Sequence, residues 1–324
     1  MGILHQVRLL TVDEGSEGQR LDNYLAKVCP GVPKSHLYRL IRSGQVRVNG
    51  GRTQVDARLA LTDQVRLPPM QTAGAPAGSR DSPMHRQDAA RRGGALPIIH
   101  EDAALLVIDK PAGTAAHGGS GVSSGVIEQM RAARPQARFL ELVHRLDRDT
   151  SGLMMLACSR AALRHLHEQM RAGRIRKHYL ALVLGAVPRR DRTINLPLLR
   201  REAPGGDRRV QVSDAGRPAV THCLGLRQAS LPGLGTVSLV ALRLETGRTH
   251  QIRVHMAALG HPLLGDAKYG EFALNRELAR RGHDRMYLHA ARLQLHHPVS
   301  GQSLTLDATM PDSFRALLEP EPGP

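Results

Sequence analysis

The sequence predicts an α+β protein of two unequal parts: a small module of two helices and a short sheet, then a larger domain around a central mixed, mostly antiparallel sheet. Three observations carry that expectation. A stretch rich in Gly, Pro, Ala, Ser and charges, QTAGAPAGSRDSPMHRQDAARRGGA at 71–95, interrupts every apolar period and reads as a flexible linker. Ahead of it, apolar residues recur at helical spacing. Behind it they fall into short strand-like runs joined by turns with few helices between, which argues against a doubly wound parallel sheet. The expected divisions are 18–70, the linker 71–95, and 96–320.

In the first part, Leu21, Tyr24, Leu25 and Val28 follow i, i+3, i+4, i+7 and predict one amphipathic helix. Pro30 and Pro33 separate it from a second helix carrying Leu37, Leu40 and Ile41. VRVN at 46–49 predicts a short strand, Gly50-Gly51 a turn, and Gln64–Leu67 a return strand. In the second part, Ile98–His100, Leu105–Asp109, LELV at 140–143, HYLALVLG at 178–185, VSLVALRLE at 237–245 and YLHAARLQL at 287–295 read as strands. Ala161–Arg174 reads as a helix with Leu163, Leu166 and Met170 on one face, and the polar stretch 201–218 as an exposed hairpin loop.

The chain has 324 residues, of which 41% are hydrophobic but only 2% aromatic, so Leu, Ile, Val, Met and Ala must fill its core. Forty-five Lys+Arg against 29 Asp+Glu give a formal charge of +16, with a pI near 10.9. Such a surface attracts polyanions through counterion release and points to nucleic acid. Lys34, Arg39, Arg42, Arg47 and Arg52 fall on the second helix and the adjoining hairpin without interleaved acids, which favours phosphate contact over a merely solvated face. Cys29, Cys158 and Cys223 are far apart and suggest neither a disulfide framework nor a zinc ribbon. With no signal-peptide pattern and no run of ~18 apolar residues, the expected home is the cytoplasm, with no membrane contact.

Three dense polar clusters break the apolar pattern: 144–152 (HRLDRDTSG), 177–179 (KHY) and 246–253 (TGRTHQIR). Polar groups packed beside buried strands are costly to desolvate unless paired, so each is either loop surface or a site. Ser151, His144 and Asp149 could form a triad, but Ser151 lacks the G-x-S-x-G elbow. His250 and His255 have the wrong spacing for a zincin pair, His165/His167 and His296/His297 suit surface or packing roles, and no P-loop occurs. What remains is a carboxylate flanked by arginines, an ionised nucleophile held charged by its partner. Asp147, Asp149 and Asp266 are equal candidates on this reasoning.

Beyond it, HRLDRDTSGLM (144–154) resembles the signature of the RluA/RluC/RluD family of pseudouridine synthases. KHYLALVLG (177–185) and TGRTHQIRVHMAALGHPLLGDAKYG (246–270) are similar to its second and third motifs, in the right order. EDAALLVIDKPAGTAAHGG (101–119) resembles the opening strand and lysine-proline turn, and LHAARLQLHHPVSG (288–301) the C-terminal strand. RLDNYLAK (20–27) and VPKSHLYRLIRSGQVRVNGGR (32–52) look like an S4 RNA-binding domain, and the wording is closest to the RluC group.

The resemblance implies an isomerase that converts uridine to pseudouridine in structured large-subunit ribosomal RNA, with neither cofactor nor metal; the sequence does not show the oligomeric state, and a monomer is the default expectation. Asp147 matches the family's catalytic aspartate, Tyr179 the tyrosine that stacks on the target base and is proposed to help remove the C5 proton, and Arg253 the arginine paired with the carboxylate. Arg145 matches the residue implicated in extruding the uridine; His144, Thr246, Arg248, Thr249, His250 and Gln251 stand at the flanking substrate-binding positions. The implied carboxylate chemistry is either addition to C1′ or proton abstraction toward a glycal. The rivals are an S4-type ribosome-assembly factor without activity and an RNA hydrolase, which lacks a metal cluster here. Two departures, Ala115-Ala116 after the K-P-A-G turn and Leu295 where an aromatic is usual, read as packing substitutions outside the site.

Overall fold

The computed structural model describes residues 3–4, 7–13, 16–29, 32–71, 96–118, 124–202 and 208–319. The expected linker therefore lies outside the described residues apart from Gln71, as do Pro30 and the tip of the polar stretch, 203–207. The chain divides into two compact units, Met1–Arg92 and Gly93–Pro324.

The first unit contains β1 (Ile3–Leu4), β2 (Arg8–Thr11), α1 (Leu21–Val28), α2 (Lys34–Arg42), β3 (Arg47–Val48), β4 (Gln64–Leu67) and β5 (Met70–Gln71). The periodic residues Leu21, Tyr24, Leu25, Leu37, Leu40 and Ile41 turn inward and meet Val46, Val65 and Leu67 in one core. β3 and β4 pair antiparallel, with Val48 opposite Val65, and Gly50 takes the positive φ the turn requires. The sheet order is β2-β4-β3, so residues ahead of the expected start at 18 belong to this unit. β2 escaped notice because this edge strand is exposed along most of its length and shows no alternation.

The second unit runs through β6 (Ile98–Glu101), β7 (Leu105–Lys110), α3 (Val126–Ala133), β8 (Glu141–Leu142), β9 (Ser151–Ala157), α4 (Arg160–Arg171) and β10 (Arg176–Leu184). There follow β11 (Arg192–Asn195), β12 (Leu198–Glu202), β13 (Arg208–Val212), β14 (Val220–Leu231), β15 (Gly235–Leu244), α5 (Gln251–Ala258), α6 (Phe272–Arg280), β16 (Leu288–His296), β17 (Ser303–Asp307) and α7 (Asp312–Leu318). Ten strands form one sheet in the order β11-β14-β15-β10-β16-β9-β7-β6, with β17 on β16 and β8 on β9. The fold is α+β, and within this sheet the β16–β9 pair alone is parallel among the described residues.

Both faces of the central strands are covered. Leu106, Ile108, Met154 and Leu156 pack on one side with Ile252 and Met256 of α5, while Leu105, Val107, Leu153 and Met155 pack on the other with Leu166 of α4. β12 and β13 form a separate hairpin from Leu198↔Val212 to Glu202↔Arg208. Most of the described residues of 201–218 are exposed as expected; Val210 is the buried exception, beside Leu198, Ala219 and Val254. No helix among the described residues is long and apolar enough to cross a membrane.

Candidate active site

Asp147 sits in the loop between β8 and β9, and three devices fix that loop. At its start, His144 Nε2 accepts the Met155 N–H at 3.1 Å, tying the loop back to the strand it precedes. Burial, aided by the nearby charge of Lys177, pushes the His144 imidazole down to about 3, so it stays a neutral acceptor. Beneath the loop, the Lys110 ammonium donates to the carbonyls of Pro111 (2.9 Å), Thr114 (2.7 Å) and Arg148 (2.8 Å). At its end Gly152 takes φ +107° where β9 meets β16; a Cβ there would lie 2.3 Å from the Ala290 carbonyl oxygen. The loop thus presents Asp147 with its side chain 30% exposed.

Arg253 lies in the first turn of α5 and bridges two carboxylates. Its Nη1 donates to Asp147 Oδ2 at 3.0 Å, while Nε and Nη2 donate to Asp266 at 2.7 and 2.8 Å. Asp266 is fully buried and also accepts the backbone N–H groups of Lys268 and Tyr269. Burial acts to raise its pKa, but the Arg253 hydrogen bonds and charge outweigh burial and hold the carboxyl below its ordinary value. Gly265 makes this placement feasible, because a Cβ there would collide with the Arg285 carbonyl oxygen. Asp266, a candidate nucleophile by sequence, is thus the anchor of Arg253 and has no access to a ligand. Asp149 is an exposed partner of Arg148, at 3.3 Å.

His250 precedes α5 in the left-handed region at φ 53°, a strained conformation for a side chain of its size. Its Nε2 stands 3.8 Å from Asp147 Oδ2, and its Nδ1 shares a hydrogen bond of 2.8 Å with the Tyr269 hydroxyl. That hydroxyl also accepts the Val210 N–H at 3.0 Å, connecting the β12–β13 hairpin to the carboxylate through Tyr269 and His250. Burial lowers the His250 pKa.

These groups border a cleft of about 670 Å³ that also takes in Tyr179, Lys177 and Leu288. Tyr179 is 7% exposed and belongs to both the core and the cleft wall. Burial and the Asp147 charge push its phenol well above the ordinary tyrosine value, so it is protonated at neutral pH. A register shift between His178 and Tyr179, where β16 carries the extra residue Ala291, sets this part of β10 against its neighbour.

Of the residues singled out by sequence, the cleft gathers Asp147, Tyr179, Arg253, His144, Arg145, Arg248, Thr249, His250 and Gln251. Gln251 turns its polar atoms inward, donating to Val220 O and Thr221 Oγ1 and accepting from Thr246 Oγ1 and the Arg248 N–H. Thr246 does not line the cleft; its hydroxyl also accepts the Val220 N–H and fastens the loop to β14. Arg145 is exposed and has no side-chain partner among the described residues, while Arg248 Nε donates to Pro218 O. Arg39, Arg42, Arg47 and Arg52 belong to the other unit, as does Lys34, described by its backbone alone. Ala115 and Ala116 correct the expectation that they lie outside the site, since both form part of the cleft wall. Sequence reasoning gave no role to Lys110 or Tyr269, whose contacts join residues far apart in the chain.

The RNA pseudouridylate synthase family matches residues 104–258, and the S4 domain family matches residues 19–65. The chain is 42% identical over 313 residues to the ribosomal large subunit pseudouridine synthase C of Haemophilus influenzae, covering 97% of this chain and 94% of that protein. It is 44% identical over 315 residues to the protein of the same name from Escherichia coli, covering 97% and 96%. Among solved structures, human RNA pseudouridylate synthase domain containing 1 superposes with a TM-score of 0.57 at 28% identity, over 67% of this chain and 85% of that one.

Proposed function

This chain belongs to the RNA pseudouridylate synthase family, and from that premise we propose that its substrate is large-subunit ribosomal RNA and that Asp147 acts on the target uridine. The family makes it an isomerase. Ribosomal RNA as substrate comes from the names of relatives aligned over nearly the whole chain; a cytoplasmic location and a monomeric state are part of the same proposal. The observation that carries the assignment of Asp147 is its pairing: one carboxylate, at the mouth of a cleft, held at 3.0 Å by an arginine that a second, buried carboxylate fixes in place.

The uridine leaves its stack, at a cost of a few kcal/mol, and enters the cleft. The unpaired Arg145 at the entrance takes the space it vacates, and Arg248 and Thr249 meet the backbone beside it. Asp147 acts at the ribose as the glycosidic bond breaks; the base turns within the cleft and rejoins through C5. Because the Tyr179 phenol is protonated, it offers its ring face for stacking and does not accept the C5 proton unaided. His250, held by Tyr269, completes the wall beside the carboxylate. The cations of the first unit, Lys34, Arg39, Arg42, Arg47 and Arg52, contact phosphates and add affinity without choosing the base.

Tritium release from [5-³H]uridine-labelled large-subunit RNA lacking its own modifications tests this reading. Wild type is expected to release tritium, while Asp147→Asn binds the RNA equally well and releases none. A clearly active Asn variant removes Asp147 from the reaction, and binding without release by wild type favours an assembly factor.

A further inference from the structure

Lys177 is a half-buried cation with no counter-charge among the described residues. It lies on β10 two residues before Tyr179, so the two side chains share the face of the strand that forms the cleft wall. Its Nζ rests against Gly247, where a Cβ would stand only 3.2 Å away. The buried cations around the site are satisfied: Lys110 by three carbonyls, Arg253 by two carboxylates. No hydrogen bond or ion pair engages Lys177 among the described residues. Burial accordingly lowers its pKa, with no carboxylate opposing the shift. A partly desolvated ammonium is costly unless something pairs with it, and the open side of this one is the substrate cleft.

An RNA substrate brings negative charge of two kinds. Phosphates carry theirs permanently, and those flanking an inserted nucleotide remain at the rim, where the exposed Arg145 and Arg248 stand. The second kind arises only during the reaction. When C1′–N1 breaks, the bonding pair leaves with N1 and the uracil becomes an anion delocalised onto its carbonyl oxygens. Lys177 and Tyr179 have Cα atoms about 6.7 Å apart along one strand face, which sets the ammonium at the edge of a base stacked on the Tyr179 ring.

We propose that Lys177 is a catalytic residue of the isomerisation, its ammonium pairing with the uracil carbonyl oxygen that takes up negative charge as the glycosidic bond breaks. The proposal rests on the isomerase reading given above. Lys177 keeps its proton throughout. The electron pair returns when C5 bonds to C1′, the C5 proton departs, and N1 ends protonated, so nothing is oxidised or reduced. An interaction made only while the charge exists accelerates the chemical step and leaves binding of the intact RNA unchanged.

The test compares the full-length wild type with Lys177→Met and Lys177→Arg by RNA binding, single-turnover tritium release and thermal melting. Lys177→Met is expected to bind RNA like wild type, to lose roughly 10²-fold in the single-turnover rate, and to melt at a higher temperature, because an apolar chain of similar length replaces an unpaired, half-buried charge. Lys177→Arg is expected to recover part of the rate. Weaker binding with an unchanged rate at saturation would instead make Lys177 a phosphate anchor and overturn the proposal. So would a Met variant that melts lower and loses rate only in step with its folded fraction. Wild-type release alongside a fully active Met variant refutes the role of Lys177 alone, whereas no release by wild type removes the isomerase reading and this proposal with it.

Discussion

Arg253 divides its guanidinium between Asp147, the proposed catalytic carboxylate, and the buried Asp266, and the two carboxylates differ in what their loss does. Asp266 is fully buried and takes both Nε and Nη2; Asp147 is part-exposed and takes Nη1 alone. Neutralising the buried partner leaves a buried guanidinium short of charge, which costs about 3–5 kcal/mol. Neutralising the exposed one removes an ion pair worth less than about 1 kcal/mol. We therefore expect Asp266→Asn to lower both stability and turnover, and Asp147→Asn to abolish turnover with little change in a denaturant melt. The pH dependence follows the same partition. Asp266 has a folded pKa below its unfolded one, so its contribution is complete above the unfolded value of about 3.9 and fades as pH falls through the folded value. Melting of wild type should fall in that acid range more than melting of Asp266→Asn. Equal acid limbs would deny Asp266 its anchoring role.

Among the elements, the turn after β7 governs the carboxylate loop without touching a substrate. Lys110 closes β7 and gathers three carbonyls, one from Arg148 in the loop itself. Burial pushes its ammonium down to about 8, yet three acceptors around one ammonium favour the charged form at neutral pH. Lys110→Met should therefore strand three buried carbonyls, destabilise by several kcal/mol at about 1–3 kcal/mol for each, and slow turnover at saturating RNA; unchanged melting would show that water replaces the ammonium. The sequence disclosed such elements unevenly. α1, α2 and β7 were readable because their burial is one-sided or their apolar run is short. β9 was missed as a strand because all seven of its residues are buried and no alternation survives. α5 was missed because Gln251 to Met256 are buried all round, Gln251 and Arg253 satisfied by partners elsewhere in the chain. The same reasoning covers the site. Resemblance named Asp147 and Arg253, whereas Asp266 as anchor depends on a contact spanning thirteen residues and a glycine at φ +70° that no periodicity records.

Across the whole molecule, a formal charge of +16 remains after the fold's own ion pairs and suits a polyanionic RNA partner. The first unit shows which of its cations are available for that. Arg47 donates to the Gly44 and Gly50 carbonyls, and Arg39 contacts His36, so part of their donor capacity is occupied. Arg42 and Arg52 make no hydrogen bond or ion pair among the described residues, and both are exposed. Each phosphate neutralised releases counterions, so the logarithm of affinity falls linearly with the logarithm of salt, by about 0.7–0.9 per contact. Arg42→Ala and Arg52→Ala should each lower the magnitude of that slope by about one. Turnover at saturating RNA should stay at the wild-type value, because the carboxylate, its arginine and the cleft belong entirely to the other unit. Binding measured across a salt series, with single-turnover release at each variant's saturating concentration, separates the two quantities. An unchanged slope would mean that these arginines do not meet phosphate, whereas an unchanged slope with slower turnover would mean that the module orients the RNA by contacts other than charge.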